Sequence, residues 1–489
     1  MNQLTIIELN ALARQALIEN GFLTNIPSEA ADTLNSINEN EILYSSDSAI
    51  RDLRSLLWSS IDNRTSRDLD QIEYAEMLSS GNIRLLIGIA DVDAFVPQNS
   101  VIDKFAAQNT VSIYAGESVF PMLPERLSTD LTSLHEGVDR LAVVTEMIIR
   151  HNGDIESSNI YRAIVHNYAK LTYEEIGVWL DESAAMPEKI VKTQNLEAQI
   201  RLQKKAAERL HELRRQNGAL EFETIEFAPV IAGENIIDIT SIPPNSARRI
   251  IENFMIAANV QMAKFLEDRN LLSLRRVVRT PERWEQIVHI AESLGENLPV
   301  VPDSKTLADF LARQKVSDPI HYPDLSLSII KLLGSSEYVV QKPNEEVEGH
   351  FGLAVQDYTH STAPNRRYTD LIVQRLVKAA LQDKSSPYSS EELEAIVERC
   401  NKRESEAKKI ERKIRKTIAA SVMKVRIGEN FTAIVTGVTP RGIFARILRP
   451  PVDGRIVKGE ENLQVGEKVQ VRLLATNPQK GFIDFAYVA

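Results

Sequence analysis

An irregular segment that feeds straight into an alternating β pattern constrains this chain more than any other stretch. Residues 61–70 read IDNRTSRDLD. Asn63, Thr65 and Ser66 favour turns, so Asp62 is expected to fold back towards the two carboxylates that follow it. In extended backbone successive side chains alternate faces, which sends Asp68 and Asp70 to one side and apolar Leu69 to the other. QIEYAEML and IRLLIGIADVDAFV then flank Ser79-Ser80-Gly81-Asn82, a hairpin signature. A turn centred between Ser80 and Gly81 would set Asp70 opposite Asp91 and Asp68 opposite Asp93; a bulge would shift that register by one. Clustered carboxylates suit a hard divalent cation, and magnesium takes only one or two from protein, leaving room for water and phosphate. Spacing alone leaves a solvated acidic loop open for the first three Asp, and ordinary strand-end residues for Asp91 and Asp93.

The rest of the chain sorts by period. Residues 1–54 read as short helices, with ELNALARQALIENGF closing on Asn20-Gly21. A long charged helix, LEAQIRLQKKAAERLHELRRQNG, stops at Gly218. LEFETIEFAPVI and ENIIDIT form a strand pair, and Pro243-Pro244 precede the helix SARRIIENFMIAANVQMAKFLEDRN. Helices and turns are predicted onward to Gln382, followed by one long helix within 386–426. The last part, 427–489, switches to about five short strands separated by Gly, Pro and Asn, the signature of an OB-type barrel. The fold class is α+β: helical N-terminal region (1–54), large mixed domain (55–385), connecting basic helix (386–426), small barrel (427–489).

Composition narrows the chemistry. With 489 residues and 43% hydrophobic content the chain can bury a full core. A mean hydropathy of -0.20 and the lack of a long uncharged apolar run argue against a membrane span. The N-terminus shows no basic and apolar succession of a secretory signal, so a cytoplasmic, monomeric protein is expected. A single cysteine, Cys400, excludes an internal disulfide framework and Cys-based zinc sites. Eight scattered histidines without HxH or HxxxH spacing argue against a zinc enzyme. A net charge of -11 opposes polyanion binding on average, yet residues 401–426 are strongly basic. That run is either a binding surface or a solvated helix face.

In order and spacing, IDNRTSRDLDQ, IGIADVDAFV, FPMLPERLSTDLTSL, AKLTYEEI, RRIIENFMIAAN and HFGLAVQDYTHSTAPNRRYTDLIVQRL together resemble the ribonuclease II/R family. The resemblance covers about residues 55 to 385, the RNB catalytic domain, and the terminal barrel looks like an S1 RNA-binding domain. It implies Mg²⁺-dependent 3'-to-5' hydrolysis of single-stranded RNA to 5'-nucleotides. Asp62, Asp68 and Asp70 match the first three acidic positions of the metal motif, and Arg366 matches the arginine that bridges phosphate oxygens as charge grows. Catalysis would rest on Asp70 and Arg366. Tyr114, Tyr173 and Phe222 match aromatic positions that grip RNA, Glu252 and Glu411 match acidic positions that contact sugar or the 3' end, and Arg367 adjoins them as an RNA contact. From the residues alone, the aromatics could pack in a core, the two Glu could be helix-surface ion-pair partners, and Arg366 and Arg367 could be an ordinary surface pair. Within the barrel, Phe431, Phe444 and Arg446 lie near Gly442, where S1-type barrels present their binding face; Phe444 could instead face the core.

Two departures qualify the resemblance. The family's fourth acidic position is Gln71 here, whose amide oxygen can accept a metal or water contact but brings no charge. The paired cold-shock domains that commonly precede the catalytic domain have no counterpart in residues 1–54. Besides an active nuclease, a catalytically inactive RNA-binding protein on the same scaffold and a non-RNA adaptor stay open.

Overall fold

A computed structural model describes residues 4–44, 49–116, 118–223, 226–242, 244–440, 442–459 and 463–488. Pro243, one of the predicted proline pair, lies outside them.

The N-terminal region is helical, as predicted: α1 (Ile6–Glu19), α2 (Ser28–Ser36) and α3 (Glu39–Leu43). A capping box starts α1, with Thr5 Oγ1 accepting from the Glu8 N–H and the Glu8 carboxylate accepting from the Thr5 N–H. The central sheet follows, made of β1 (Arg51–Asp52), β2 (Trp58–Asp62), β3 (Gln71–Met77) and β4 (Ile83–Ala90). Next come α4 (Val101–Asn109) and the small pair β5 (Ile113–Ala115) and β6 (Ser118–Phe120). Two long strands, β7 (Asp139–Ile149) and β8 (Ile155–Thr172), complete the sheet. Strand order is β1-β8-β2-β3-β4-β7, and β8 pairs with β7 through Ile155–His166 and with β2 through Asn167–Thr172. The sheet thus closes on itself through β8.

The predicted hairpin forms, but its register differs by one residue from a turn centred between Ser80 and Gly81. Gln71 pairs with Ile89, and the Ala90 N–H donates to the Asp70 carbonyl at 3.0 Å, so Asp70 stands opposite Ala90 rather than Asp91. The cause is a three-residue loop: Leu78 and Asn82 are hydrogen-bonded, and Gly81 takes φ +80°, which centres the turn on Ser80. Asp91 and Asp93 consequently leave the strand end and join a buried ion network described below.

Beyond the sheet lie α5 (Tyr173–Leu180), α6 (Glu188–Lys192), α7 (Leu196–Gln216), the hairpin β9 (Glu226–Ala232) and β10 (Asn235–Ile242), and α8 (Ser246–Glu267). Gly218 ends the α7 segment at φ +92°, where a Cβ would meet the Lys305 backbone at 2.7 Å. β11 (Ser273–Val277), α9 (Trp284–Ser293), α10 (Ser304–Ser317), α11 (Tyr322–Leu333) and β12 (Glu337–Gln341) precede α12 (Tyr368–Leu381) and α13 (Ser390–Met423). Helices and turns alone were expected over this part, but β11 and β12 pair antiparallel. Their centre, Leu274-Arg275-Arg276, is fully buried, because Arg276 makes a bidentate pair with Glu404 at 2.7 and 2.8 Å. Two consecutive arginines conceal a buried strand from hydropathy patterning.

The chain ends in β13 (Asn430–Thr439), β14 (Gly442–Ile447), β15 (Val452–Lys458), β16 (Lys468–Asn477) and β17 (Phe482–Val488), a closed barrel in the order β13-β14-β15-β17-β16. The barrel core is continuous with Leu9 and Leu17 of α1 and with Ile410, Ile414 and Ile418 of α13. Phe431 is part of that core, beneath the Arg426 guanidinium, and does not face solvent as expected for a binding face. Phe444 and Arg446 stay half-buried.

Alternation divides the central sheet. Trp58, Ile72, Leu86 and Val144 face the cluster that holds Leu371 and Val373 of α12, while Ile61, Ala75, Ile87 and Ile89 face α7 and α8.

Candidate active site

Asp62 closes β2, and its Oδ1 accepts from the Asn63 N–H at 2.6 Å and the Ser66 hydroxyl at 2.7 Å, which turns the chain back. The return is clamped at Leu69. Ser133 Oγ accepts from the Leu69 N–H at 2.9 Å and donates to the Arg67 carbonyl at 2.7 Å. Leu69 is thereby buried in the core, and Asp68 and Asp70 point to the other side, as alternation predicts.

Arg366 arrives from a loop that is itself pinned. Ser361 donates through both N–H and Oγ to Asn259 Oδ1 at 2.8 Å, the Ala363 N–H donates to Asp370 Oδ1 at 2.8 Å, and Thr132 Oγ1 donates to Asn365. From this loop Arg366 Nε donates to Asp70 Oδ2 at 2.9 Å. The two ends of the pair differ: Asp70 is 2% exposed, whereas the Arg366 side chain is 43% exposed. Asp70 Oδ1 is buried and has no hydrogen-bond partner among the described residues. Burial pushes the Asp70 carboxyl up to about 6, with Asp68 adding to the rise and Arg366 opposing it. Burial likewise raises Asp68, reinforced by Asp62 and countered by Arg366. For Arg366, desolvation works against the charge but Asp70 outweighs it, so the guanidinium stays firmly protonated.

Tyr114 on β5 is 41% exposed, and its hydroxyl lies 3.4 Å from Asp68 Oδ2. Its N–H donates to Glu411 Oε1 at 3.0 Å, so α13 positions the ring through Glu411. Tyr173, half-buried at the start of α5, has the Arg248 guanidinium 4.5 Å from its ring centre. Its phenol is raised by burial and then by Asp62 and Glu73. Arg248 also reaches Asn63 Oδ1 at 3.3 Å, and Glu252 stands exposed one helical turn further along α8.

Two expected RNA contacts have other neighbours. Arg367, half-buried, donates to Asp370 Oδ1 at 2.7 Å. Phe222 packs, half-buried, against the helical cluster of Trp284, Leu307 and Phe310. Gln71 is buried at the head of β3, on the Ala75 face of the strand and opposite Ile72. Among the described residues no three Asp, Glu, His or Cys side chains form a ready metal cluster. The donor chemistry nevertheless suits a hard cation, since the carboxylates are close enough to raise one another and Asp70 Oδ1 is an orphaned acceptor.

Sequence reasoning missed Arg248, which RRIIE places one turn before Glu252, and Glu73, whose alternation with Gln71 was its only signal. It also missed a cavity of about 540 Å³ between α11, α13 and the barrel. Lys331, Arg412, Arg415, Lys416 and Arg446 line it together with Phe444, which combines cations and an aromatic face.

Residues 50–383 match the RNB domain. The chain belongs to the RNB family. Residues 429–488 match the RNase II-type exonuclease C-terminal S1 domain, in agreement with the barrel topology. Ribonuclease R of Vibrio parahaemolyticus is 32% identical over 479 residues, covering 89% of this chain and 56% of that protein. Ribonuclease R 1 of Lactococcus lactis is 27% identical, covering 97% and 60%. This RNB chain therefore spans less than two thirds of the length of these curated relatives. Among solved structures, Mycoplasma genitalium RNase R in complex with ribose methylated single-stranded RNA has the same fold, with a TM-score of 0.87 at 23% identity over 98% of this chain and 78% of that one. Yeast Ssd1, a pseudonuclease, follows the RNB chain at a TM-score of 0.70 and 16% identity, covering 91% and 55%.

Proposed function

We propose that this chain is a Mg²⁺-dependent 3'-to-5' exoribonuclease that hydrolyses single-stranded RNA to 5'-nucleotides, with Asp62, Asp68, Asp70 and Arg366 at its centre. The observation that carries the reading is the Asp70–Arg366 pair: a buried carboxylate with one oxygen held by a guanidinium and the other unpartnered among the described residues, beside an exposed tyrosine. Membership of the RNB family and the Ribonuclease R relatives support it.

In this reading Arg366 keeps its exposed N–H groups for the scissile phosphate and stabilises the charge that develops there. Asp70 Oδ1 accepts from the terminal sugar or the attacking water, and the fixed Arg366 bond sets its direction. The bound Mg²⁺ would lower the pKa of that water and stabilise the leaving oxygen, held by carboxylates of the acidic loop. Tyr114 and Tyr173 stack on the last bases, and stacking accepts any sequence. Glu252 and Glu411 border the sugar side, although Glu411 already spends one oxygen on the Tyr114 N–H. A cytoplasmic location belongs to the same proposal, since RNA is the substrate and Cys400 is a free thiol.

A second reading, an RNA-binding protein without catalysis, is favoured by the neutral Gln71 and by the lack of a preformed three-carboxylate cluster among the described residues. A 5'-labelled single-stranded RNA incubated with and without Mg²⁺ separates the two. Stepwise shortening from the 3' end that stops in EDTA is the expected result. Tight RNA binding without shortening at any Mg²⁺ concentration would replace the first reading by the second.

A further inference from the structure

Helix α1 lies outside the acidic loop, yet it grips the segment that carries Tyr114. β5 alternates: Ile113 and Ala115 are buried in one core with Leu9, Ala13 and Leu17 of α1, and Tyr114 between them turns the other way, towards Asp68. The turn of the β5–β6 hairpin rests on α1 itself. Gly116 takes φ +71°, and a Cβ there would come 2.6 Å from Leu9 Cδ2. Ser118 Oγ donates to Asn10 Oδ1, and the Arg14 guanidinium stands 5.9 Å from the centre of the Phe120 ring.

A second grip lies where that segment begins. The buried Asn109 side chain accepts from the Leu23 N–H at 2.9 Å and donates to the Leu23 carbonyl at 3.0 Å, a closed pair between the end of α4 and the chain that leaves α1. Just beyond it the backbone is bonded to the Arg366 loop. The Tyr368 N–H donates to the Thr110 carbonyl at 2.8 Å, and the Ser112 N–H donates to the Arg366 carbonyl at 3.0 Å. One short segment therefore holds the Arg366 backbone at one end and presents Tyr114 at the other. The gripping chain is itself fastened at both ends. The Ile6 N–H donates to the Glu234 carbonyl at 2.9 Å, and Arg403 of α13 donates to the Asn20 and Gly21 carbonyls at 2.6 and 2.8 Å.

We infer that residues 4–23 are a positioning clamp for the Tyr114–Arg366 pair, with Asn10 fixing the Tyr114 hairpin and Asn109, held by Leu23, fixing the strand bonded to Arg366. The inference rests on the nuclease reading proposed above, in which Tyr114 stacks on a terminal base and Arg366 meets the phosphate. Base and phosphate are covalently joined, so the spacing of these two residues decides whether the scissile bond lies over the acidic loop. A misplacement of about 1 Å costs rate more than affinity, because the rest of the RNA strand binds elsewhere.

Asn10→Ala and Asn109→Ala each release one grip, while Asn10→Asp keeps the acceptor for Ser118. With single-stranded RNA and Mg²⁺, the two Ala variants should lower kcat roughly tenfold with KM within about twofold, and Asn10→Asp should match wild type. In a Tyr114→Ala background, Asn10→Ala should lower kcat no further, because it acts through that ring. RNA ending in 2-aminopurine, whose fluorescence falls on stacking, gives a readout in EDTA without turnover. Wild type should quench it, Tyr114→Ala should not, and Asn10→Ala should lose at least half of the quenching at unchanged affinity. Wild-type quenching in Asn10→Ala, or rate losses that multiply in the double variant, would overturn the clamp and leave α1 a structural helix. Should Asn109→Ala fail to fold, the Asn10 variants decide. A wild type that cleaves no RNA at any Mg²⁺ concentration would remove the nuclease reading, and the quenching comparison would still decide the clamp.

Discussion

Asp70 carries opposite consequences for chemistry and for stability. Its carboxyl is raised from 3.8 to about 6, so the fold disfavours the ionised form that accepts hydrogen bonds from substrate. Turnover should therefore climb as pH rises through about 6 and then level off, in a pH–rate profile at saturating RNA and Mg²⁺. The stability effect has the reverse sign. Below about 4 the acid is neutral in both states and costs nothing; the cost appears as pH rises and is complete above about 6. A rise of this size corresponds to at most roughly 3 kcal/mol, and relaxation should leave about 1–2 kcal/mol. Asp70→Asn should accordingly abolish hydrolysis, keep RNA binding, and unfold later than wild type at pH 8 but not at pH 4. Arg366→Ala should lower turnover far more than affinity, because its phosphate contact strengthens as charge develops. Equal losses in kcat and in RNA affinity would reduce Arg366 to a binding residue. For Gln71→Asp, an added charge a few ångströms from the cation is worth on the order of 4 kcal/mol at a dielectric near 20, before desolvation and carboxylate repulsion offset most of it. We expect a lower Mg²⁺ concentration at half-maximal rate, checked by titration of both proteins. These candidates were legible as sequence because acid spacing and the TAPNRRY motif are local. The neighbours of Arg367 and Phe222 were not legible: no local pattern names Asp370 as a partner of Arg367, and the α9–α10 cluster lies far along the chain from Phe222.

Helix α12 sets Arg366 by being anchored along its whole length. Arg375 donates to Asp93 at 2.8 Å, pairs with Asp103 at 2.8 Å and reaches the Tyr388 hydroxyl at 2.8 Å, while Lys378 joins Asp91 and Asp93 at 2.8 and 2.7 Å. These groups are nearly all buried, and a buried network is costly to break from one side even where it adds little net stability. Arg375→Ala should cost about 3–5 kcal/mol in urea unfolding, by leaving the buried Asp103 without its cation. Hydrolysis should fall at temperatures where the variant remains folded, since the α12 N-terminus presents the Arg366 loop. A loss under about 1 kcal/mol would mean that Lys378 and the Tyr368 hydroxyl, which donates to Asp103 at 3.1 Å, suffice to hold the network. Elements of this kind were unevenly readable. α7, α8, α13 and the barrel strands showed their period because one face meets water. β11 and β12 did not, because Arg275 and Arg276 are buried by partners far along the chain.

At the scale of the molecule, the barrel is joined to the RNB body through one shared apolar core with α1 and α13. Removing residues 428–489 should therefore expose the Ile410, Ile414 and Ile418 face and cause aggregation, which size-exclusion chromatography would reveal. Point changes in the basic cavity test RNA contact more cleanly. If the cavity carries the strand, Arg412→Ala and Arg415→Ala should weaken long single-stranded RNA, spare a short oligonucleotide, and each reduce the salt slope by about 0.7. Unaltered slopes would assign the five cations to solvation alone. The acidic loop, the paired hairpin, the long helices and the barrel were legible residue by residue, since each depends on neighbours within a few turns or strands. The sequence also carried the likeness that the RNB match bears out. Which acid meets which cation is fixed by long-range packing. The pairing of Asp70 with Arg366 and the burial of Glu73 follow from how β2, β3 and β8 close and from where the loop before α12 arrives. That closure depends on contacts between strands far apart in the chain, whose cost and gain no local pattern records.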